Sequence, residues 1–177
     1  GVSVETVPTA DLAKLGTGST VSQSAIYPKL NIGKGIYDTI DILFSFVPYN
    51  EGLGLSNFAG AVRWTFFQGT YSPFNLSTVV SGSGTNFNNQ FFSQTTQGDL
   101  VVGLNLSPMS FNFGVGAVYG QGQIVSTLNS NGLGSDQVAS QFHFSGGVSF
   151  NFKKFFASVQ LDQYRQSVLT SQLGVRL

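Results

Sequence analysis

The sequence predicts an all-β protein: a closed, antiparallel, up-and-down β-barrel that crosses a membrane with about ten strands. Three observations predict this fold. Apolar and polar side chains alternate along most of the 177 residues, only 9% of the residues are charged, and 17 are phenylalanine. A soluble domain carries about 25% charged residues. With so few charges to cover a surface in water, we expect many of the phenylalanines to face an apolar environment outside the protein. The length suits one domain, which we place at residues 1–177.

Charge and composition exclude several classes of protein. Eight Lys and Arg balance eight Asp and Glu, so the chain has no net charge and lacks the basic character that nucleic-acid binding requires. The chain has no Cys and a single His, which excludes disulfides and Cys-based zinc sites, and we expect no cofactor or metal. No apolar run is long enough for a membrane-spanning helix. A closed barrel is the other structure that satisfies its backbone hydrogen bonds in lipid.

The strands are predicted from a period of two. Between residues 40 and 46, for example, Ile42 and Phe44 alternate with Asp41 and Ser45. Such alternation favours strands over helices, and roughly ten residues suffice for a tilted strand to cross a bilayer. In chain order, the segments with this pattern are 2–7, 26–32, 40–46, 60–66, 76–80, 100–106, 111–119, 142–152, 155–161 and 169–177, the first two being the weakest. Eight strands remain the alternative if residues 1–20 form an arm or plug and one later hairpin is misread.

Short and long connections alternate along the chain. Tight turns are predicted at 33–35, 69–73, 107–109 and 153–154, and longer polar segments at 9–20, 48–56, 83–95 and 127–137. This order is typical of outer-membrane barrels, which have short periplasmic turns and longer extracellular loops. The short link near Gln166, on the long-loop side, departs from the pattern.

The C-terminal residues Gln172-Leu173-Gly174-Val175-Arg176-Leu177 resemble the final strand of Gram-negative outer-membrane barrels, which alternates, carries a glycine and ends on an aromatic residue. This chain ends on Leu177 instead. The resemblance implies a small barrel, porin-like or similar to the OmpA barrel, located in the bacterial outer membrane. It also implies that Gly174, Val175 and Leu177 signal to the outer-membrane assembly machinery. A soluble β-sandwich or lipocalin-like barrel is the alternative, which the low charge disfavours.

The alternation divides the side chains between two faces. We predict that the apolar face meets membrane lipid, and that tyrosines near strand ends form aromatic girdles. The predicted lipid-facing residues are Phe44, Phe46, Trp64, Phe66, Phe113, Phe142, Phe144 and Phe150, and the predicted girdle tyrosines are Tyr37, Tyr49, Tyr71, Tyr119 and Tyr164.

The opposite face carries most of the charges of the strands. The predicted lumen cluster consists of Glu5, Lys29, Asp41, Arg63, Asp99, His143, Asp162 and Arg176. Because the interior of a small barrel is narrow, and an unpaired buried ion is costly, we expect these charges to pair and to fill the lumen together with other side chains.

Three functions follow from these features. The first is a structural or interaction role, including self-association into a homo-oligomer, a ring of which would enclose lipid. The second is a small diffusion channel. The third is a lipid-modifying enzyme built on His143, Ser145 and Asp162, which lie on one predicted face. Because serine is abundant in this chain, we interpret this last set as coincidental and expect no enzymatic activity.

Overall fold

A closed barrel of ten antiparallel strands forms the fold, as predicted. The structure, a computed structural model, describes residues 1–8, 24–50, 55–87, 91–124 and 136–176. In chain order the strands are β1 (Val2–Pro8), β2 (Ser24–Tyr37), β3 (Ile40–Asn50), β4 (Leu55–Gln68), β5 (Phe74–Phe87), β6 (Phe91–Leu106), β7 (Met109–Ile124), β8 (Asp136–Phe152), β9 (Phe155–Gln163) and β10 (Ser167–Val175). Ten strands exclude the eight-stranded alternative.

Each strand pairs with its neighbours in the sequence, and β1 closes the sheet by pairing with β10. The closing pairs run from Val2 opposite Leu173 to Thr6 opposite Leu169. Closure leaves no free edge along the paired part of the wall, which is what a membrane-spanning sheet requires. No helix within the described residues is long and apolar enough to cross a membrane.

Two of the predicted connections were wrong. The turn expected at 33–35 lies instead at Asp38–Thr39, because Gly33 pairs with Leu43 as part of β2. The loop expected at 83–95 is mostly strand, since β5 continues to Phe87 and β6 begins at Phe91. Polar residues stay in the sheet here through cross-strand hydroxyl contacts: Ser83 Oγ and Thr95 Oγ1 are 2.7 Å apart. The segment 9–20 lies outside the described residues, as does most of 127–137.

The outer surface carries an apolar band. Along β7, Phe113 and Val115 expose 61% and 44% of their surface. The eight residues predicted to face lipid all lie on this outer surface and are exposed: Phe44, Phe46, Trp64, Phe66, Phe113, Phe142, Phe144 and Phe150.

The outer surface turns polar toward the end of the barrel where the longer connections lie. On β7, Tyr119 separates the apolar residues from Gln121, and on β6 the exposed outward positions beyond Leu100 include Thr96 and Gln94. This change from apolar through tyrosine to amide and hydroxyl side chains is the one expected where a strand leaves the hydrocarbon region.

The wall is not of even height. β6, β7 and β8 have 16, 16 and 17 residues, whereas β9 and β10 have 9 each. Pairing between β8 and β9 begins at Phe144 opposite Gln163 and ends at Phe152 opposite Phe155. The stretch 136–143 of β8 therefore rises above the β9–β10 hairpin and pairs with β7 alone among the described strands.

Candidate functional site in the barrel lumen

The predicted lumen charges lie on the wall face opposite the apolar band. On β6 the side chain of Asp99 is 9% exposed, while its neighbour Leu100 is 47% exposed on the outer surface. The register places Asp99 and His143 on opposite sides of Gly116, and Asp162 opposite Ser145. The remaining members occupy positions of the same face: Glu5 on β1, Lys29 on β2, Asp41 on β3, Arg63 on β4, and Arg176 just after β10.

His143 is the centre of a buried polar cluster. Its residue is 1% exposed, and its Nδ1 lies 3.4 Å from Oδ1 of Asp99. Gln97 donates from Nε2 to Oδ2 of Asp99 over 2.7 Å, and the same Nε2 lies 3.3 Å from Nε2 of His143. Neither Asp99 Oδ1 nor His143 Nδ1 has another hydrogen-bond partner within the described part of the chain. A hydrogen bond between these two atoms requires the tautomer of the imidazole that carries a hydrogen on Nδ1.

Tyr164 connects this cluster with the turn after β9. Its ring stacks on the imidazole of His143, with centroids 4.8 Å apart and an angle of 12° between the planes. Its hydroxyl donates to Oε1 of Gln97 over 3.3 Å. Tyr164 lies in the turn after β9 and Gln97 lies on β6, so this bond passes over β7 and β8. The cluster therefore closes off a segment of the lumen cross-section.

Asp162 lies beside this cluster on β9. Gln160 donates from Nε2 to both carboxylate oxygens of Asp162, over 2.9 and 3.1 Å. The donor to this carboxylate is therefore a neutral amide rather than a cation.

Arg63 forms a second polar group on the far wall. It stands opposite Asp41 in the β3–β4 register, yet its guanidinium points toward β5. Nε donates to Oγ of Ser77 over 3.2 Å, and Nη2 to Oδ1 of Asn75 over 3.4 Å. Both acceptors are buried, at 0% and 5% exposure, which fixes the guanidinium against the wall.

The expectation that the lumen charges pair with one another holds for some members only. Lys29 Nζ lies 3.1 Å from Oε2 of Glu5, and both side chains are about one-fifth exposed. Arg176 instead donates to Oδ1 of Asn151 over 2.6 Å and lies 5.7 Å from the Phe156 ring centre. Within the described residues, an ion pair joins Lys29 to Glu5, the imidazole of His143 lies against Asp99, and neutral side chains hold Arg63, Asp162 and Arg176.

Tyr164 was wrongly predicted to belong to the outer girdle. It faces inward because it continues the inward sequence of β9, in which Gln160 and Asp162 precede it at even positions. Tyr37 and Tyr71 are exposed, at 73% and 102%, near the tight turns. The side chain of Tyr49 lies outside the described part of the chain.

The site also contains residues that the sequence analysis did not single out. Gln97 bonds to Asp99, and Asn75 and Ser77 accept from Arg63. Each has the inward parity of its strand, so alternation could have located them on this face. No pattern in the sequence indicated which of the many polar residues on that face would contact the charges.

The Ser, His and Asp of the weighed catalytic set are not brought together as a triad. Ser145 Oγ lies over Gly114, and Asp162 is bonded by Gln160. The imidazole of His143 contacts Asp99, Gln97 and Tyr164. Within the described residues, no three His, Asp or Glu side chains are grouped in a way that would hold a metal ion.

Comparison with solved structures adds a likeness in fold. No family model matches the chain, and no curated protein matches it. The crystal structure of Ail, the attachment invasion locus protein of Yersinia pestis, is similar over 99% of this chain and 96% of that chain, with 14% sequence identity and a TM-score of 0.32. The description as a small barrel of the outer-membrane type comes from this chain itself: an even number of antiparallel strands, full closure and an apolar exterior.

Proposed function

We propose that this protein is a bacterial outer-membrane β-barrel with a structural or interaction role, whose lumen is closed to free diffusion of solutes. The bond from Tyr164 to Gln97, with His143 stacked beneath it, carries the proposal. An eight-stranded barrel is just wide enough for side chains to fill, and ten strands add little width. A network that spans four neighbouring strands therefore obstructs a large share of the cross-section.

Location in the outer membrane is supported by the exterior and by the two ends of the barrel. The apolar band requires lipid, and tight turns such as Asp38–Thr39 lie at the end where β1 begins and β10 ends. Membrane lipid is thus the first partner. We propose that the outer-membrane assembly machinery is the second, recognising the final strand through Gly174, Val175 and Leu177. Val175 is 53% exposed on the outer surface, and Leu177 lies outside the described residues.

The raised wall supports an interaction role. Strands of 16 and 17 residues exceed the 9–11 or so that cross a bilayer. The excess length of β6, β7 and β8 presents a polar outer surface beyond the membrane, a rigid support for binding. Self-association into a homo-oligomer, including a ring that encloses lipid, is the form of interaction we first test, by measuring the mass of the complex in mild detergent.

We propose no enzymatic activity and no cofactor. The imidazole of His143 is buried, and its edge is occupied by Asp99 and Gln97. A general base must reach the proton that it abstracts, and this imidazole is enclosed by its own network.

Single-channel recording in planar lipid bilayers tests the closed lumen. We expect the refolded wild-type barrel to give no steady conductance. Tyr164→Ala removes the ring and hydroxyl that span the lumen, and is expected to produce steady openings. Tyr71→Ala is the matched control because Tyr71 is fully exposed in a turn and should leave the record silent.

A small diffusion channel is the second candidate. The lumen face of β7 carries Gly120, beside which an added Cβ would meet nothing nearer than 3.6 Å, and the bonds of Arg63 to Ser77 and Asn75 go to neutral partners, as in a hydrated passage. Steady conductance of the wild type, altered in its ion preference by Arg63→Ala, would favour the channel and contradict the closed lumen.

A further inference from the structure

The stretch 136–143 of β8 has an open edge. It pairs with β7 on one side, from Gln123 opposite Asp136 to Gly116 opposite His143. On its other side β9 begins pairing only at Phe144. Among the described strands, none lies along this edge, directly above the β9–β10 hairpin.

The backbone groups at this edge can be identified. Asn151 donates its N–H to the carbonyl of Pro108, on the β7 side of β8. Because backbone groups of successive residues point to opposite sides of a strand, and the β7–β8 register is unbroken, odd-numbered residues of β8 face β7. The N–H and C=O groups of Val138, Ser140 and Phe142 therefore point to the open side.

The open edge lies at the border of the apolar band and beyond it. On its outer surface Ser140 stands opposite Tyr119, and Val138 opposite Gln121. Phe142 is 79% exposed, more than Phe144 at 61%, since no strand lies beside it. The polar residues Ser140 and Gln121 place the upper part of this edge beyond the apolar band, where a partner can approach from the aqueous phase.

The edge lacks the features by which sheets usually protect themselves. Exposed edges are commonly blocked by proline or lysine. The similar gap between β2 and β3, above Leu30 opposite Phe46, carries Pro28, Lys29 and Pro48. By contrast, the stretch 136–143 contains no proline, lysine or arginine, and its acidic residue, Asp136, stands at its upper end. Within the described part of the chain nothing blocks this edge below Asp136, which makes it a template for an added strand.

We infer that the stretch 136–143 binds an extended segment of a partner protein, which adds a strand to the sheet above the β9–β10 hairpin. Main-chain bonds to Val138, Ser140 and Phe142 would provide the attachment, and alternate apolar side chains of the segment would pack against Val138 and Phe142. This rests on the proposed interaction role and names its surface. A second copy joined through the same edge does not fit: barrels in one membrane share an orientation, so the two β8 strands would run parallel about a twofold axis that places N–H opposite N–H and C=O opposite C=O.

Hydrogen exchange on the full-length barrel in detergent tests the edge first. We expect alternating protection: fast exchange at the amides of Val138, Ser140 and Phe142, and slow exchange at Ala139, Gln141 and His143, which face β7. Slow exchange at all six would show that another part of the chain already covers the edge and would overturn the inference.

A synthetic peptide with the sequence of residues 115–124 serves as the probe, since this strand already matches β8 on its other side. The peptide should slow exchange at Val138, Ser140 and Phe142. Methylating its amides on the side that faces β8 should abolish this protection, whereas methylating the other side should not. Equal binding of both methylated forms would indicate apolar adhesion and contradict strand addition.

Ser140→Pro provides the matched variant because it removes an N–H that makes no bond to β7. We expect an intact barrel with loss of peptide protection, while Ser140→Ala, which keeps the N–H, should bind like wild type. Unchanged binding to Ser140→Pro would overturn the inference. Conductance recorded on the same preparations separates the two proposals: a closed lumen without peptide binding leaves the proposed function standing and removes this inference alone.

Discussion

Gly116 on β7 lies directly beneath the carboxylate of Asp99: a Cβ atom built on Gly116 would overlap Oδ1 of Asp99 and approach the carbonyl of Gly98. The same arrangement recurs around the lumen. Polar or aromatic side chains lie flat over a glycine of the neighbouring strand, in the pairs Asn75 over Gly103, Ser145 over Gly114, Asn112 over Gly147 and Phe156 over Gly174. The glycines thus allow these side chains to pack closely against the wall of the neighbouring strand.

Gly116→Ala should destabilise the barrel by about 1–3 kcal/mol, because the added methyl group must displace a buried carboxylate and strain the sheet. The measurement is urea unfolding in lipid vesicles, followed by tryptophan fluorescence. Gly120→Ala is the control on the same strand and face, since its nearest contact would be an ordinary 3.6 Å to Cγ2 of Thr95. Equal losses in both variants would show that the close approach to Asp99 has no energetic weight.

Asn75 and Gly103 should be energetically coupled. Gly103→Ala alone would force a methyl group into the Asn75 amide, which also accepts from Arg63. Asn75→Ala removes that obstruction at a cost of about 1 kcal/mol for the lost bond. In the double variant the Gly103 change should cost less than in the wild type, giving a coupling free energy of about 0.5–3 kcal/mol. Strictly additive losses would contradict the packing of Asn75 on Gly103.

Alternation was enough to predict the barrel because each strand has one face toward lipid and one toward the lumen, so a slip of one residue would exchange the two faces. Phe142 and Phe144 alternate with His143 in sequence. The structure places the two phenylalanines on the outer surface and His143 in the lumen. Strand number followed from the same period. The ends of β5 and β6 were missed since Ser83 and Thr95 carry no apolar signal, although they pair across the sheet.

The contacts within the lumen depend on distances around the barrel that a linear pattern does not contain. The alternation of faces along β6 predicted that Asp99 faces the lumen. It could not predict that Tyr164 reaches Gln97 from three strands away. Arg63 and Asp41 are direct register partners, and pairing by charge would have joined them. The guanidinium instead bonds to Ser77 and Asn75, because β5 offers two buried oxygen acceptors at the right height.

The upper border of the apolar band can be located by charge substitution along β7. Phe113→Lys places a cation within the band and should destabilise the barrel by about 2–4 kcal/mol, whereas Gln121→Lys, on the same strand and face, should cost about 0–1 kcal/mol. Unfolding free energies in vesicles of defined thickness provide the measurement. A large cost at Gln121 would place the border higher and submerge the open edge of β8 in lipid.

Gln97 should contribute most to the stability of the lumen network, because its single side chain contacts Asp99, His143 and Tyr164. Gln97→Leu keeps the approximate volume but removes the donor to a buried carboxylate, and leaving such a group unsatisfied costs about 1–3 kcal/mol. Gln94→Leu is the control, since Gln94 is exposed on the outer surface of the same strand and should change stability by about 0.5 kcal/mol or less. Unfolding in urea gives the free energies, and conductance of the Gln97→Leu barrel adds a second readout. A variant that keeps wild-type stability and a silent lumen would show that the bonds of Gln97 neither stabilise the barrel nor close it.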